Sequence, residues 1–193
     1  DGGQTWTQVL PVVSSGPYSP SDIKLASDNR IWIGSRRNPY GEGAGTILHS
    51  DDGLNWSVSH NQSGAGRVAL ACAPSDADYL YCLIEYGQQL GYVLKSTDKG
   101  VSWVNLNEPD ASASGLDSDD FTRNQAWYDL VIAVDPLDKN SVIIGGIDLF
   151  KSTDAGISWN RLSYWHIFYG SPYVHADQHA IIYKNNSSSE AIF

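Results

Sequence analysis

The sequence predicts an all-β fold assembled from repeated four-stranded antiparallel sheets, and three observations carry that expectation. An Asp, a Gly and a Trp recur in one arrangement at Asp1-Gly3-Trp6, Asp51-Gly53-Trp56, Asp98-Gly100-Trp103 and Asp154-Gly156-Trp159. The tryptophans are spaced by 50, 47 and 56 residues, the period of one four-stranded blade in a β-propeller. Composition agrees: 193 residues hold 18 Gly, 8 Pro, 7 Trp and 11 Tyr, no Met, and few stretches that read as amphipathic helix.

Each element of the recurrent turn has a physical reason. An Asp carboxylate accepts hydrogen bonds from backbone N–H groups a few residues on, and Gly supplies a positive φ that other residues adopt only at a cost. The Trp face covers the hairpin end, while the Ser or Thr before it bonds back across the loop. These Asp, Gly and Trp residues therefore read as architecture and not as catalysts. The copies at 95–103 and 151–159 share the string Lys-Ser-Thr-Asp-x-Gly-x-Ser-Trp. The second copy departs from it, with His49 where Ser is usual and Asn55 where Ser or Thr is usual.

The blades follow in order. Residues 1–13 read as the end of a blade whose beginning is absent. A first complete blade over about 20–60 uses strands at 23–27, 30–35 and 46–50 and a fourth after Trp56. A second over 64–107 uses 67–73, 79–85 and 92–96, and a third over 126–163 uses 128–135, 141–145 and 148–152. The next begins within 174–193, its first strand at 179–183. Ala73-Pro74-Ser75-Asp76 and Asp135-Pro136-Leu137-Asp138 fall at matching turns, which supports the repeat independently of the Asp-Gly-Trp pattern. About three and a half blades are visible where closed propellers have four to eight. The expectation is one partial propeller domain over 1–193, an interior piece of a longer polypeptide.

With 22 acidic against 12 basic residues and a formal net charge of −10, the surface repels phosphate backbones, so nucleic acid is not an expected partner. No run is apolar enough to span a membrane. Five carboxylates, Glu108, Asp110, Asp117, Asp119 and Asp120, crowd one Ser-, Ala- and Asp-rich linker. That linker reads as a solvated loop, with calcium as the alternative, although its spacing matches no EF-hand. No other cofactor is expected. Cys72 and Cys82 fall in one hairpin, where counting outward from Ala77 places them opposite each other. Either they form a cross-strand disulfide, or they fill the slots that Val134 and Ile144 take in the next blade.

The segment richest in chemistry is Tyr173-Val174-His175-Ala176-Asp177-Gln178-His179-Ala180. Extended, it directs His175, Asp177 and His179 to one side. Entering the first strand of a blade, that side faces the central channel. Two of the three, with ligands from another blade, suit a metal; Asp177 oriented by a histidine suits acid–base work, with His175 and His179 as substrate contacts; a buried polar network tying neighbouring blades is the third reading. All three cannot share one ion on a flat strand, where i and i+4 lie roughly 13 Å apart. Trp127-Tyr128-Asp129 opens the third blade at the corresponding position, so Asp129 is the second candidate carboxylate, with Trp127 and Tyr128 beside it as substrate contacts. The aromatic connection holding Trp165 and Tyr169 reads as a sugar-stacking platform or as packing over the propeller end. The loop from Arg36 to Glu42 is another candidate rim.

The pattern Ser-x-Asp-x-Gly-x-Ser/Thr-Trp resembles the Asp-box, or BNR repeat, of sialidases, family 74 glycoside hydrolases, sortilin-type receptor propellers and secreted bacterial proteins. The resemblance covers the whole chain. With Trp127-Tyr128-Asp129, Gly145-Gly146 and the 175–179 segment, the chain is most similar to large secreted Asp-box proteins of Bacteroidetes-type bacteria, described as glycosyl-hydrolase-like. The resemblance implies a propeller outside the cell or at its surface. Its partner is a polysaccharide or glycan, or a cell-surface protein, and its chemistry, if it is an enzyme, is glycoside hydrolysis. The chain has no Arg-Ile-Pro-type segment of sialidases, and no position matches the paired Asp residues of family 74, so the resemblance carries over no catalytic residue.

Overall fold

The computed structural model describes residues 1–184 and 187–193. It is all-β, with three four-stranded antiparallel sheets following one another along the chain. The first comprises β1 (Ser19–Leu25), β2 (Ile31–Arg36), β3 (Thr46–Ser50) and β4 (Ser57–Asn61). The second comprises β5 (Val68–Cys72), β6 (Leu80–Tyr86), β7 (Gln89–Ser96) and β8 (Val104–Asn105). In the third, a short helical turn α1 (Ala126–Asp129) leads into β9 (Val131–Val134), β10 (Val142–Gly145), β11 (Leu149–Ser152) and β12 (Asn160–Arg161). A two-stranded pair, β13 (Ile182–Tyr183) with β14 (Ala191–Ile192), follows.

Within each four-stranded sheet every strand pairs with its chain neighbour. The first strands of successive sheets lie side by side, β1 against β5 and β5 against β9. The Ser21 hydroxyl donates to the Val68 carbonyl (2.7 Å), and the Leu70 N–H donates to the Asp22 carboxylate (2.8 Å). This is blade arrangement, with first strands innermost.

The core lies between blades, and β6 shows why. Its residues alternate in direction with period two. Leu80, Cys82 and Ile84 join Trp32, Ile47, Val68 and Leu70 between the first two sheets. Tyr81 and Leu83 join Ile132, Val134, Ile144 and Phe150 between the second and third. One strand thus needs large apolar residues on both faces, as a run of Leu, Tyr, Cys, Leu and Ile provides.

The recurrent turns connect third to fourth strands. In the turn after β7, Ser96 Oγ accepts from the Asp98 and Gly100 N–H groups and donates to Asp98, whose carboxylate accepts from the Ser102 N–H (2.9 Å) and hydroxyl (2.5 Å). The turn after β11 repeats this with Ser152, Asp154, Gly156 and Ser158. These hydrogen bonds, from Ser102 and Ser158 first, pull both carboxyls down to about 2. The indoles do more than cover their own hairpin. Trp103 donates to Ser59 Oγ in the preceding blade (3.0 Å), and Trp159 to the Asn107 carbonyl (2.8 Å), so these turns staple one blade to the last. Trp6, whose indole bonds only to its own turn at Gly3, is 89% exposed.

Two sequence readings are corrected here, and the open choice at Cys72 and Cys82 is decided. In the second turn the structural carboxylate is Asp52, not Asp51: Asp52 accepts from Ser50 Oγ and from the Leu54 and Asn55 N–H groups, while Asp51 pairs with Arg30 (2.7 Å). Ser50 keeps its place two before the carboxylate, and the turn is one residue shorter before Gly53. Cys72 and Cys82 are free. The hairpin closes between Ala73 and Tyr79, so Cys72 pairs with Leu80 and Cys82 with Leu70, a diagonal of about 7–8 Å between Cα atoms, too long for a disulfide. The 108–120 linker is not uniformly solvated. Asp120 is buried and accepts from the Thr122 and Asn124 N–H groups, and burial pushes Glu108 up to about 7.

Candidate functional site

Strand direction fixes where the loops gather. β1 and β3 run away from the end at which β2 finishes, so the β2–β3 loop and the starts of β5 and β9 share one end. The Asp-Gly-Trp turns lie at the other. An ion pair confirms the second half of this: Lys99, inside the turn after β7, meets Asp28 in the β1–β2 turn at 3.1 Å.

At the loop end a cleft of about 500 Å³ opens between the first two blades and α1, bounded by Arg36, Arg37, Pro39, Arg67, Glu85 and Trp127. A neighbouring hollow shares Arg36, Arg67 and Trp127 and extends to Ser21 and Tyr128. Arg36 and Arg37 are exposed at the end of β2. Arg67 is half-buried before β5, its guanidinium donating to the Tyr128 carbonyl (2.6 Å) and so tying α1 to the second blade. Glu85, next to last in β6, lies over Gly66, where an added Cβ would stand 1.3 Å from its oxygen. Its two oxygens are taken by the N–H groups of Arg67 (3.1 Å) and Gln88 (2.7 Å). Trp127 leaves 57% of its surface exposed.

Beside the cleft, Asp129 is fully enclosed, and neither carboxyl oxygen has a hydrogen-bond partner. Burial is the main cause of its rise to about 7; its own backbone N–H and Arg67 oppose the rise, and Asp177 and Asp120 add to it. Tyr128 stacks edge-on against His179 (4.5 Å between centroids), and Trp127 lies 5.5 Å from Tyr128. His179 also lines the channel groove of about 340 Å³ between Cys72, β9 and residues 179–182. The structure thus gathers Trp127, Tyr128, Asp129, Asp177 and His179 at one end.

It does so differently from the sequence reading. Residues 174–181 are not a strand; β13 begins only at Ile182. Asp177 has φ +67, a left-handed turn that breaks the alternation needed for His175, Asp177 and His179 to share a face. His175 is exposed, its ring within 3.1 Å of the Ala176 carbonyl oxygen, and Gln178 is the buried residue of the segment. Among the described residues no three His, Cys, Asp or Glu side chains converge to hold a metal. Asp129 likewise sits on α1, with the third blade's first strand starting two residues later than its carboxylate, at Val131.

Trp165 and Tyr169 belong to a separate aromatic group, 5.7 Å apart. The Trp165 indole donates to the Ser114 carbonyl (3.0 Å), and its backbone N–H to Asp148 (2.6 Å). Asp148 is fully buried and held by Ser114 and Arg161; burial raises its pKa against those partners. This network anchors the aromatic connection. Arg67 and Glu85 escaped the sequence reading. Their signal was positional: each stands at a strand end where the repeat places loop-end residues.

No protein-family model and no curated protein matches the chain. Among solved structures it is similar to a family 74 glycoside hydrolase from Niastella koreensis, with 21% identity and a TM-score of 0.61 over 82% of this chain and 25% of that one. It is similar to the family 74 xyloglucanase of Xanthomonas campestris, at 22% identity and TM-score 0.52 over 77% of this chain and 21% of that one. It is also similar to YCF48 from Cyanidioschyzon merolae, at 16% identity and TM-score 0.52 over 79% of this chain and 39% of that one. The chain therefore spans about a quarter of the length of the hydrolases. At these identities the likeness establishes the fold, that of β-propellers. No helix among the described residues is long and apolar enough to cross a membrane.

Proposed function

We propose that this chain is the glycan-gripping part of a glycosyl-hydrolase-like propeller that acts outside the cell or at its surface. The observation that carries the reading is the loop-end cleft, where the half-exposed face of Trp127 stands beside the donors of Arg36, Arg37 and Arg67. A sugar ring offers an apolar face to an aromatic wall and hydroxyls to surrounding polar groups. The Asp-Gly-Trp turns support the same division of labour, since their carboxylates are spent on backbone N–H groups at the opposite end. The fold neighbours include family 74 hydrolases and a propeller bound to a peptide, so the choice of a polysaccharide over a protein rests on the cleft itself. The test is affinity depletion on a panel of soluble and insoluble polysaccharides. Retention on at least one, weakened about tenfold or more in Trp127→Ala, supports the reading; no retention on any refutes it.

A second reading rests on Asp129. A carboxyl pushed up to about 7 beside Asp177 has the character of a general acid next to a carboxylate, the pairing glycoside hydrolysis uses, and this reading requires the side chains that enclose Asp129 to part before a substrate oxygen can reach it. Cleavage of a retained polysaccharide that disappears in both Asp129→Asn and Asp177→Asn would establish hydrolysis; turnover unchanged in either would remove that residue from it.

A further inference from the structure

The cleft has a charge that the rest of the chain does not. The protein carries a formal −10, yet the cleft wall sets three arginines against one carboxylate, Glu85. Three of the chain's six arginines meet here. Among the described residues none of the three forms an ion pair; Arg123, Lys95 and Lys151 form none either, but they do not gather at one site, while Arg30, Arg161, Lys24, Lys99, Lys139 and Lys184 are paired. Glu85, with a backbone N–H on each oxygen, offsets one of the three charges, and Asp22 and Asp129 act on that of Arg67, which leaves Arg36 and Arg37 as the excess. Asp22 is engaged by Lys24 and by the Leu70 N–H. Clustering like charges with too few counter-ions costs folding energy, so such a cluster in an acidic chain points to a ligand that supplies the missing charge. At physiological salt the screening length is about 8 Å, so remote carboxylates contribute little and the local guanidinium groups dominate.

We propose that the cleft takes an acidic polysaccharide, with the forks of Arg36 and Arg37 holding the carboxylate of a uronic-acid unit and the face of Trp127 covering its ring. This rests on the glycan-binding reading and names its substrate class. The planar guanidinium matches a carboxylate in two parallel hydrogen bonds, which a lysine cannot reproduce. Arg67, committed to the Tyr128 carbonyl (2.6 Å), positions the Trp127 wall and adds charge behind the two exposed side chains, of which Arg37 also reaches the Gly64 carbonyl at 3.5 Å.

Calorimetric titration of the chain at 0.15 M salt compares oligogalacturonate, its fully methyl-esterified form, a neutral oligosaccharide series, a sulfated oligosaccharide and oligoglutamate. The expected result is oligogalacturonate binding at least thirtyfold tighter than the ester of the same skeleton. Arg36→Gln and Arg37→Gln each weaken it about tenfold, Arg36→Lys gives an intermediate loss, and none of the three changes the melting temperature, since both side chains are exposed. Equal affinity for acid and ester, or a preference for neutral glycans, overturns the proposal and leaves glycan binding standing. Tight binding of the sulfated sugar alone assigns the site to sulfate and also overturns it. Binding of oligoglutamate with no sugar bound, or no binding of any glycan, overturns both readings.

Discussion

Replacing Asp129 with Asn isolates the most unusual group in the molecule. The carboxyl is enclosed with both oxygens unpartnered, and burial lifts it from an ordinary 3.8 to about 7. Its proton is held more tightly in the folded state than in the unfolded one, so its contribution to stability is fully present below about pH 4 and is lost as the pH rises through about 7. At 1.36 kcal/mol per pH unit the whole shift is worth about 4 kcal/mol, of which about 2–3 kcal/mol disappears between pH 5 and pH 8. Glu108, also raised to about 7 by burial, adds a second loss over the same window, so the readout is the difference between proteins. Urea denaturation of the wild type and of Asp129→Asn at half-unit steps from pH 5 to pH 8 provides it. The wild type should lose about 2–3 kcal/mol more than the variant across that range, whatever constant offset the buried amide introduces. Parallel stability curves for the two proteins would refute the assignment of a raised, enclosed carboxyl at this position.

Three further outcomes are expected. Gly100→Ala should lower stability by about 2–4 kcal/mol in urea denaturation, because Gly100 has φ +74 and an added Cβ would stand 2.5 Å from the Trp32 ring; Gly87→Ala, with open space around it at φ +62, should cost only the backbone term of about 1–2 kcal/mol. Arg161→Ala leaves Asp148 buried without its cation and should cost about 3–5 kcal/mol, with a smaller loss when Asp148→Asn is added. Cys72 and Cys82 should both be silent to a thiol reagent in the native protein and both titrate after unfolding, since burial pushes the Cys72 thiol up to about 12 and Cys82 is fully buried; a reductant should leave the melting temperature unchanged.

The propeller was legible because its turn chemistry is local. Ser96, Asp98, Gly100 and Ser102 close their hairpin within seven residues, so one string of sequence specifies it. The strands of β6 were legible for the same reason, as an apolar run bounded by turns. The inter-blade staples were not, because the partner of Trp103 is Ser59, 44 residues away. Asp51 was mistaken for Asp52 because spacing was counted back from Trp56, across a turn shortened by one residue. Around 175–179 the alternation rule was applied to a segment that a left-handed Asp177 removes from it. The cleft combines residues from the ends of β2 and β6, the approach to β5 and the turn before β9. Each is unremarkable alone, and only the folding of three blades around a common channel brings Arg36, Arg67, Glu85 and Trp127 to one wall.

The central claim is that ligand recognition belongs to the loop end and the Asp-Gly-Trp turns to scaffold. Titrating the ¹⁵N-labelled chain with oligogalacturonate, and following the indole N–H signals of its 7 tryptophans, tests it most directly. The account predicts that the Trp127 signal moves saturably while those of Trp103 and Trp159, hydrogen-bonded at the far end of the blades, stay in place. Movement at Trp103 and Trp159 with Trp127 unchanged would contradict it.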